Sequence, residues 1–565
     1  MNRLVDLLFE RRGLTPEDLR EINVADYDDL TNIDKICAEL AIIRDTQEHI
    51  VIIPDFDMDG IMSATVGIAG MTELGFNVDL YYPNPSSGYG FDSTDIEKIV
   101  TKWPDTKAII TCDVGISCVD GIRAALLRGI KPLITDHHVE QEDTSPRDMA
   151  LAMVDPMALD SEYSHPGICG AFVLWQVLRK FAEVYGTAFQ VDQIERLRVF
   201  AGIGTISDVM PVLYENRQLI RDSYAICRLV WNGGDASFVE NLPGTDTYKN
   251  AFAGLFSVIA LFFYEKKLTY MEDIDEQFFG FYMAPMFNSA KRMNGDMSRV
   301  YSIFTSGSPD ADVRYLFDLN EQRKDLVAET YERMTNSVNA MAPYVYVVDA
   351  LPGILGLLAM KFMSANEVPC LVLTPDGHGG YSGSGRSPEW YPFITNTLDI
   401  NMMRAGHEGA FGCGFENFKQ LSDYYEFMAT TIPTIKADLA DDDVESDVDL
   451  TIATDGSGDT IVDITLFTEF LEEIDRYKPF GNAFPRPRFK LIFDADEAEW
   501  RRIGSEKTHL RLILPYGLVA LAWNQAHIMA DGVPEGRITM IGELQFNEFM
   551  GNISVQFVGG VLEDD

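Results

Sequence analysis

Ile50-Val51-Ile52-Ile53 runs into Pro54-Asp55-Phe56-Asp57-Met58-Asp59-Gly60, and an apolar stretch from Ile61 to Leu74 follows. The four apolar residues read as a short buried strand, the acidic run as a loop and the apolar stretch as a helix. Three further strands are expected, at Val78–Tyr82, Ala108–Thr111 and Pro132–Thr135, each separated from the last by a helical pattern. Strands in such alternation predict βαβ units and a buried parallel sheet, hence an α/β fold. Sites in such sheets lie at the carboxyl ends of the strands, where the acidic residues of this chain fall.

Outward from that core, residues 1 to about 45 read as helical, and a helical region follows from about 170 to 340. Its last part, Ala311–Ala342, lacks Gly and Pro and carries apolar residues at helical spacing, so one long connecting helix is expected. Residues 345 to about 430 return to an α/β pattern with glycine-rich turns. Asp438, Asp441, Asp442, Asp443, Glu445, Asp447 and Asp449 then read as a solvated linker. The remainder, with short strands at Leu510–Leu514, Val519–Trp523, Ile538–Leu544 and Ile553–Val558, fits a small barrel.

The 565 residues are too many for one core, so several domains are expected. No apolar run reaches the ~18 residues of a membrane span, and Asp6, Glu10, Arg11 and Arg12 interrupt the N-terminus, which argues against a signal peptide. Seven dispersed cysteines without a Cys-x-x-Cys pair read as reduced core thiols and suggest a cytoplasmic protein. The net charge of −43 repels duplex DNA at long range and counts against a simple phosphate-coating binder. A locally positive channel containing bound cations remains compatible with it.

Four clusters carry candidate chemistry. Asp55, Asp57 and Asp59 alternate on one loop. Three carboxylates so close cannot all ionise without a cation, and hard oxygen donors suit Mg²⁺ or Mn²⁺. The alternative is a helix cap with solvated acids. Asp113 follows the third strand, Asp136-His137-His138 the fourth, and Asp208 lies in Gly204-Thr205-Ile206-Ser207-Asp208. Each alone is weak, since an Asp at a strand end is common. Their order along the chain is specific.

That order resembles the DHH phosphoesterase family, and the resemblance to its RecJ nucleases continues nearly to the C-terminus. Gly202–Arg221 is similar to the family's segment around its last acid. Asn288, Ala290 and Arg292 match a Pro-Arg-Ile-Asn-Ala-Ala-Gly-Arg element, and Leu319-Asn320-Glu321-Gln322-Arg323-Lys324 the start of its connecting helix. Gly383-Ser384-Gly385-Arg386-Ser387 and Ala405-Gly406-His407 resemble signatures of the DHH-associated domain. Lys478-Pro479-Phe480-Gly481-Asn482 and Glu543-Leu544 resemble the oligonucleotide-binding-fold barrel.

The resemblance implies an N-terminal helical segment (1–45), a DHH domain (46–225), a helical region with the connecting helix (226–344), a DHH-associated domain (345–435), an acidic linker (436–449) and an OB-fold-like domain (450–565). It implies two divalent ions, Mn²⁺ or Mg²⁺, held by Asp55, Asp57, Asp59, Asp113, His137 and Asp208, with Asp113 as the bridge. His138 would face the scissile phosphate and Asp136 orient the histidines. Ser384, Arg386, His407, Asn288 and Arg292 would bind substrate.

The implied activity is hydrolysis of single-stranded DNA, 5′→3′, in recombination, repair or replication, with RNA left open as a substrate. A single-strand-binding protein or a helicase is the implied partner class, and no membrane is involved. Phe484, Phe489 and Trp500, interleaved with seven Arg and Lys between Arg486 and Arg511, suit strand binding, with a barrel-core role as the alternative. Two arginines of the family pattern are missing, one in Tyr82–Gly90 and one at Met286, which weakens the expectation of 5′-phosphate recognition. Three other readings stay open: an enzyme acting on short oligonucleotides or cyclic dinucleotides, a catalytically silent scaffold in a replication or repair assembly, and an acidic decoy that mimics DNA. The barrel argues against the first and the intact acids against the second.

Overall fold

β-Branched residues pack well when both faces of a strand are covered, and all six residues of β1 (His49–Pro54) are buried. The computed structural model describes residues 2–15, 19, 30–83, 90–441, 448–504, 507–523, 525–530, 532–549 and 552–564. With β2 (Asn77–Leu80), β3 (Thr106–Cys112), β4 (Lys131–Thr135) and β5 (Ala152–Val154), β1 forms a parallel sheet in the order β2-β1-β3-β4-β5. The chain leaves β1 for one edge and returns to its other side as β3. That makes β1/β3 the topological switch point, where a crevice opens at the carboxyl ends. The second strand is shorter than expected, ending at Leu80, and β5 was not anticipated.

The helix Met58–Glu73 follows the acidic loop and is buried at every position except Thr72. A helix apolar on all sides belongs inside a core. It packs on the helices Gly170–Tyr185 and Arg198–Ser207, which cover the sheet on that side. The long connecting helix runs Asp310–Thr335 and stops seven residues before the expected Ala342. The sequence Thr335-Asn336-Ser337 explains the stop. Thr335 and Ser337 turn their hydroxyls back onto the carbonyls of Tyr331 and Met334, and Asn339 bonds the carbonyl of Val345, all in competition with further helix.

A second sheet, β6 (Val345–Val347), β7 (Cys370–Pro375), β8 (Tyr381–Arg386), β9 (Met403–His407) and β10 (Ala410–Phe415), has the order β6-β7-β8-β10-β9. Only β6 and β7 pair in parallel. The helix Phe418–Asp441 continues into the segment expected as an acidic linker. Ala437, Leu439 and Ala440 are strong helix formers, and the acids among them do not interrupt it. Residues 442–447 of that linker lie outside the described residues.

The chain divides into two compact units, Asp26–Asp208 with Asp222–Asp443, and Met1–Ala25 with Val209–Arg221 and Val444–Asp565. The expected N-terminal helical segment is therefore split. Its first helix, Arg3–Arg11, belongs to the unit of the C-terminal residues, where the Asn2 N–H donates to Glu473 at 2.6 Å and Arg12 pairs with Asp449 at 2.6 Å. The helix Ile33–Asp45 belongs to the other unit.

The C-terminal sheet comprises β11 (Leu450–Ala453), β12 (Phe489–Asp494), β13 (Glu499–Ile503), β14 (His509–Ile513), β15 (Val519–Ala522), β16 (Arg537–Phe549) and β17 (Asn552–Asp564). Its order is β11-β12-β16-β17-β15-β14-β13. Phe484 and Phe489 are 0% and 1% exposed, so they are core residues and not stacking platforms. The seven cysteines are all free and buried. Among the described residues, no helix is long and apolar enough to cross a membrane.

Candidate metal centre

The register of the first sheet lines up its acids. The last row runs Pro54, Cys112, Thr135, Val154 across β1, β3, β4 and β5. Asp55, Asp113, Asp136 and Asp155 each come one residue later. Three of them close that edge, because the N–H groups of Asp55, Asp113 and Asp136 donate to Cys112, Thr135 and Val154 at 3.3, 3.1 and 3.2 Å. The fourth, Asp155, was missed, because Ala152–Val154 is too short a run to read as a strand. It is 2% exposed, and its Oδ1 accepts from the Met157 N–H at 2.7 Å.

The backbone then aims each side chain. Asp57 caps the helix Met58–Glu73, accepting from the Gly60 N–H at 3.1 Å. The cap expected as an alternative to metal binding is thus present in the same residue that faces the site. Asp59 accepts from the N–H groups of Gly170 and Ala171, at 2.6 and 3.2 Å, at the N-terminus of another helix. Asp113 sits in the left-handed region at φ +62°, a costly conformation for a non-glycine residue. Two glycines make room for these groups. A Cβ at Gly170 would lie 2.5 Å from the Asp113 Cβ, and one at Gly204 would lie 2.3 Å from the Asp59 Oδ1. Asp208 follows immediately after the helix Arg198–Ser207.

His137 Nε2 lies 3.0 Å from the Asp113 Oδ1, 3.6 Å from the Asp208 Oδ2 and 3.9 Å from the Asp59 Oδ2. Three sets, Asp113/His137/His138, Asp59/His137/Asp208 and Asp55/Asp57/Asp113, each bring donor atoms within 4.8 Å of one another. Every expected ligand falls in one of these sets. Asp136 falls in none. Instead its Oδ1 accepts from the His137 N–H at 2.8 Å and lies 2.8 Å from His138 Nδ1, and its Oδ2 accepts from the Ile116 N–H at 2.8 Å. It thus holds the His138 ring and the His137 backbone.

Burial is the first cause that pushes Asp55 and Asp208 up to about 8, and neighbouring carboxylates add to it. The same causes raise Asp113 well above the ordinary range, and burial raises Asp59. Burial lowers His137, leaving a neutral imidazole suited to a metal. Burial also opposes charge on His138, but the Asp136 hydrogen bond and charge outweigh it and push His138 up to about 9. Burial likewise opposes charge on Asp136, but the hydrogen bond and charge of His138, the Ile116 N–H and the charge of His137 together hold the carboxyl below its ordinary value.

Among the described residues, the buried Oδ1 atoms of Asp55 and Asp113 accept no well-aligned hydrogen bond, although His137 Nε2 lies beside the latter. Mutually repelling acids, oxygens without an aligned donor and a neutral histidine fit divalent cations of the Mg²⁺ or Mn²⁺ type.

The expected substrate-binding residues separate into two groups. Asn288 bonds the Met58 N–H at 3.0 Å, so it supports the acidic loop. Ser384, Arg386 and His407 lie on the second sheet. Arg386 pairs with Ala410 and Ala410 with His407, while Ser384 pairs with Gly412. Residues in one row share a face, and those two apart on a strand share it too, so the three side chains project to one side. Between them β10 presents only Ala410 and Gly412, and an open groove on this sheet is lined by Ser384 and Gly412 with Thr374, Met403 and Arg404.

Arg292, Arg323 and Arg386 form a cluster. Arg292 is held down to about 10, first by burial and then by the other two guanidinium groups. Arg323 was matched only as part of the connecting helix, and its neighbourhood could not be seen from the sequence. Of the two missing arginines, Met286 is 0% exposed and cannot serve as a cation. Residues 84–89 of the other segment lie outside the described residues.

The chain also resembles known proteins. Residues 49–203 match the DHH family, N-terminal domain, and residues 459–559 match the RecJ OB domain. The single-stranded-DNA-specific exonuclease RecJ of Haemophilus influenzae is 27% identical over 92% of this chain and 88% of its own length. That of Bacillus subtilis is 25% identical over 89% of this chain, which spans only 60% of that relative. A crystal structure of RecJ with Mn²⁺ from Thermus thermophilus superposes with a TM-score of 0.72 at 21% identity, covering 100% of this chain and 76% of the other. A structure with Mg²⁺ from the same organism gives 0.70 at 20% identity.

Proposed function

We propose, from the DHH domain and the RecJ OB domain that this chain carries, that it is a metal-dependent exonuclease of single-stranded DNA, digesting 5′→3′ in recombination, repair or replication. The observation that carries the reading is the single row of strand ends that brings Asp55, Asp113 and Asp136 into line with His137 and His138. Asp55, Asp57, Asp59, Asp113, His137 and Asp208 would hold two Mn²⁺ or Mg²⁺ ions, with Asp113 shared between them. Such ions supply the Lewis acidity and positive charge that phosphodiester displacement requires.

The chain's own groups do the rest. His138, charged at neutral pH and with 41% of its side chain exposed, can donate a hydrogen bond to a phosphate oxygen. Asp136 fixes its ring and keeps it protonated. Arg386 and Arg292 hold the phosphodiester at the cleft, with Ser384 and His407 along the open face of the second sheet. The RecJ OB domain would contribute strand binding. A single-strand-binding protein or helicase as partner, and a cytoplasmic setting, complete the reading.

The test is digestion of end-labelled single strands and duplexes, with 5′-phosphate or 5′-hydroxyl ends, in Mn²⁺, Mg²⁺ and EDTA. Single-strand loss from the 5′ end, in either metal and not in EDTA, is expected. Activity that survives EDTA, or equal attack on duplex, would sink the proposal. Faster turnover of dinucleotides or cyclic dinucleotides would replace it with a small-substrate enzyme.

A further inference from the structure

The helix Ala284–Arg292 lies against the acidic loop through Asn288, and Lys291 is one turn further along the same side. The Lys291 ammonium sits over the Phe56 ring, 3.5 Å from its centroid, between Asp55 and Asp57 in sequence. The element this helix resembles carries Gly at that position, so the lysine is a property of this chain. Among the described residues, the ammonium makes no ion pair and no hydrogen bond. The side chain is open to solvent. Surrounding protein still lowers its pKa, with Asp55 and Asp57 opposing and the neighbouring Arg292 adding to the shift. A cation both exposed and crowded is one on the wall of a cleft.

Its neighbours strengthen the case. Arg292, Arg323 and Arg386 gather without a close ion pair among the described residues, with Asp57 acting on Arg292 and Glu321 on Arg323 only at longer range, in a chain of net charge −43. Lys291 interacts with the acids of the metal centre on one side and with Arg292 on the other. An ammonium held by a ring face keeps its three N–H donors for an anion.

We infer that Lys291 is a phosphate-contacting residue of the catalytic cleft, taking a non-bridging oxygen of the strand between the metal centre and the Arg292–Arg323–Arg386 cluster. This rests on the nuclease reading above. It gives the cleft a cation that the two missing arginines do not supply.

The experiment compares wild type, Lys291→Met and Lys291→Arg on strands in which one phosphate at a time is a neutral methylphosphonate. Lys291→Met should lower kcat/KM about 10- to 100-fold, the range for a charged hydrogen bond, and Lys291→Arg should recover most of it. At one linkage, the methylphosphonate should penalise wild type and leave Lys291→Met no worse. The Mn²⁺ concentration for half-maximal activity should not change.

Equal methylphosphonate penalties in both proteins at every linkage would overturn the assignment. So would a loss in Lys291→Met that disappears when Mn²⁺ is adjusted, because the lysine would then only balance Asp55 and Asp57. Wild type that degrades no nucleic acid would overturn the nuclease reading along with it, whereas an active wild type matched by Lys291→Met overturns the lysine alone.

Discussion

At the carboxyl edge of the first sheet, Asp59, Asp113 and Asp136 are at most 2% exposed, and each is fixed by backbone hydrogen bonds, a strained φ or a helix N-terminus. On the second sheet, His407 and Met403 are exposed and the strand between the candidate phosphate binders offers only Ala410 and Gly412. The first region is built to hold charge at fixed points against repulsion, while the second is built to leave space. Small cations need fixed ligands, because coordination tolerates little displacement. A strand that must slide after each cut needs an open surface with few anchors.

The largest effect expected from this contrast is at Asp113. Asp113→Asn should reduce kcat about 1,000-fold or more, as loss of a central electrostatic group does. The same change should raise the melting temperature in EDTA by about 2 °C or more, since it removes a buried, repelled acid. Near-normal kcat with Mn²⁺ in excess would break the comparison at its stronger side.

Next come two matched glycines. Gly204→Ala puts a methyl 2.3 Å from the Asp59 carboxylate, whereas at Gly412 the nearest heavy atom is 3.8 Å away. Gly204→Ala should destabilise by about 1–3 kcal/mol, the usual cost of overpacking, and lose most activity. Gly412→Ala should leave the melting temperature within about 1 °C, because it meets only ordinary contacts. Similar losses in both variants, by calorimetry and kcat, would erase the distinction.

Arg386→Ala should lower kcat/KM about 10- to 100-fold, chiefly through KM, and Arg386→Lys should recover only part, since an ammonium cannot bind two oxygens at once. His407→Ala, at an exposed position, should cost less. A fall confined to kcat would move Arg386 from holding the strand to the chemical step.

The smallest effect is a pH dependence. Asp55 and Asp208, near 8 when folded, ionise near 4 when unfolded. Between those values the folded chain retains protons that the unfolded chain has lost, so these groups lower stability as pH rises from about 4 to 8. Thermal unfolding in EDTA at pH 5, 6.5 and 8 should show this decline. Mn²⁺ should raise the melting temperature most at pH 8, and Asp113→Asn should flatten the trend. A profile flat in EDTA would mean that the acids are not packed as described.

The strands that carry the acids were legible because continuous apolar runs end in carboxylates at each of them. Asp155 was not, since three residues are too few to mark a strand and only the register shows that it continues the row. The barrel aromatics could be read either way for a related reason. Phe484 and Phe489 stand among arginines in the sequence; alternation along β12 turns Phe489 inward, whereas Phe484 precedes that strand and is buried against Phe480. Lys291 and Arg323 were hidden by distance along the chain, since 235 positions separate Lys291 from Phe56. The early end of the connecting helix depends on hydroxyl and amide groups that compete for the backbone, which apolar spacing does not register.

Asp208 closes one compact unit and Val209 opens the other. The thirteen residues Val209–Arg221 fold with the C-terminal residues: Asn482 bonds Val209 and Val212, Arg217 the carbonyl of Pro479, and Arg221 that of Lys478. The modules are therefore interleaved, not strung in series, and no single cut separates them. A truncation near Asp449 would strip those partners from a segment joined by one peptide bond to a candidate ligand. Any gene rearrangement that exchanged the C-terminal module would have to carry this internal loop with it.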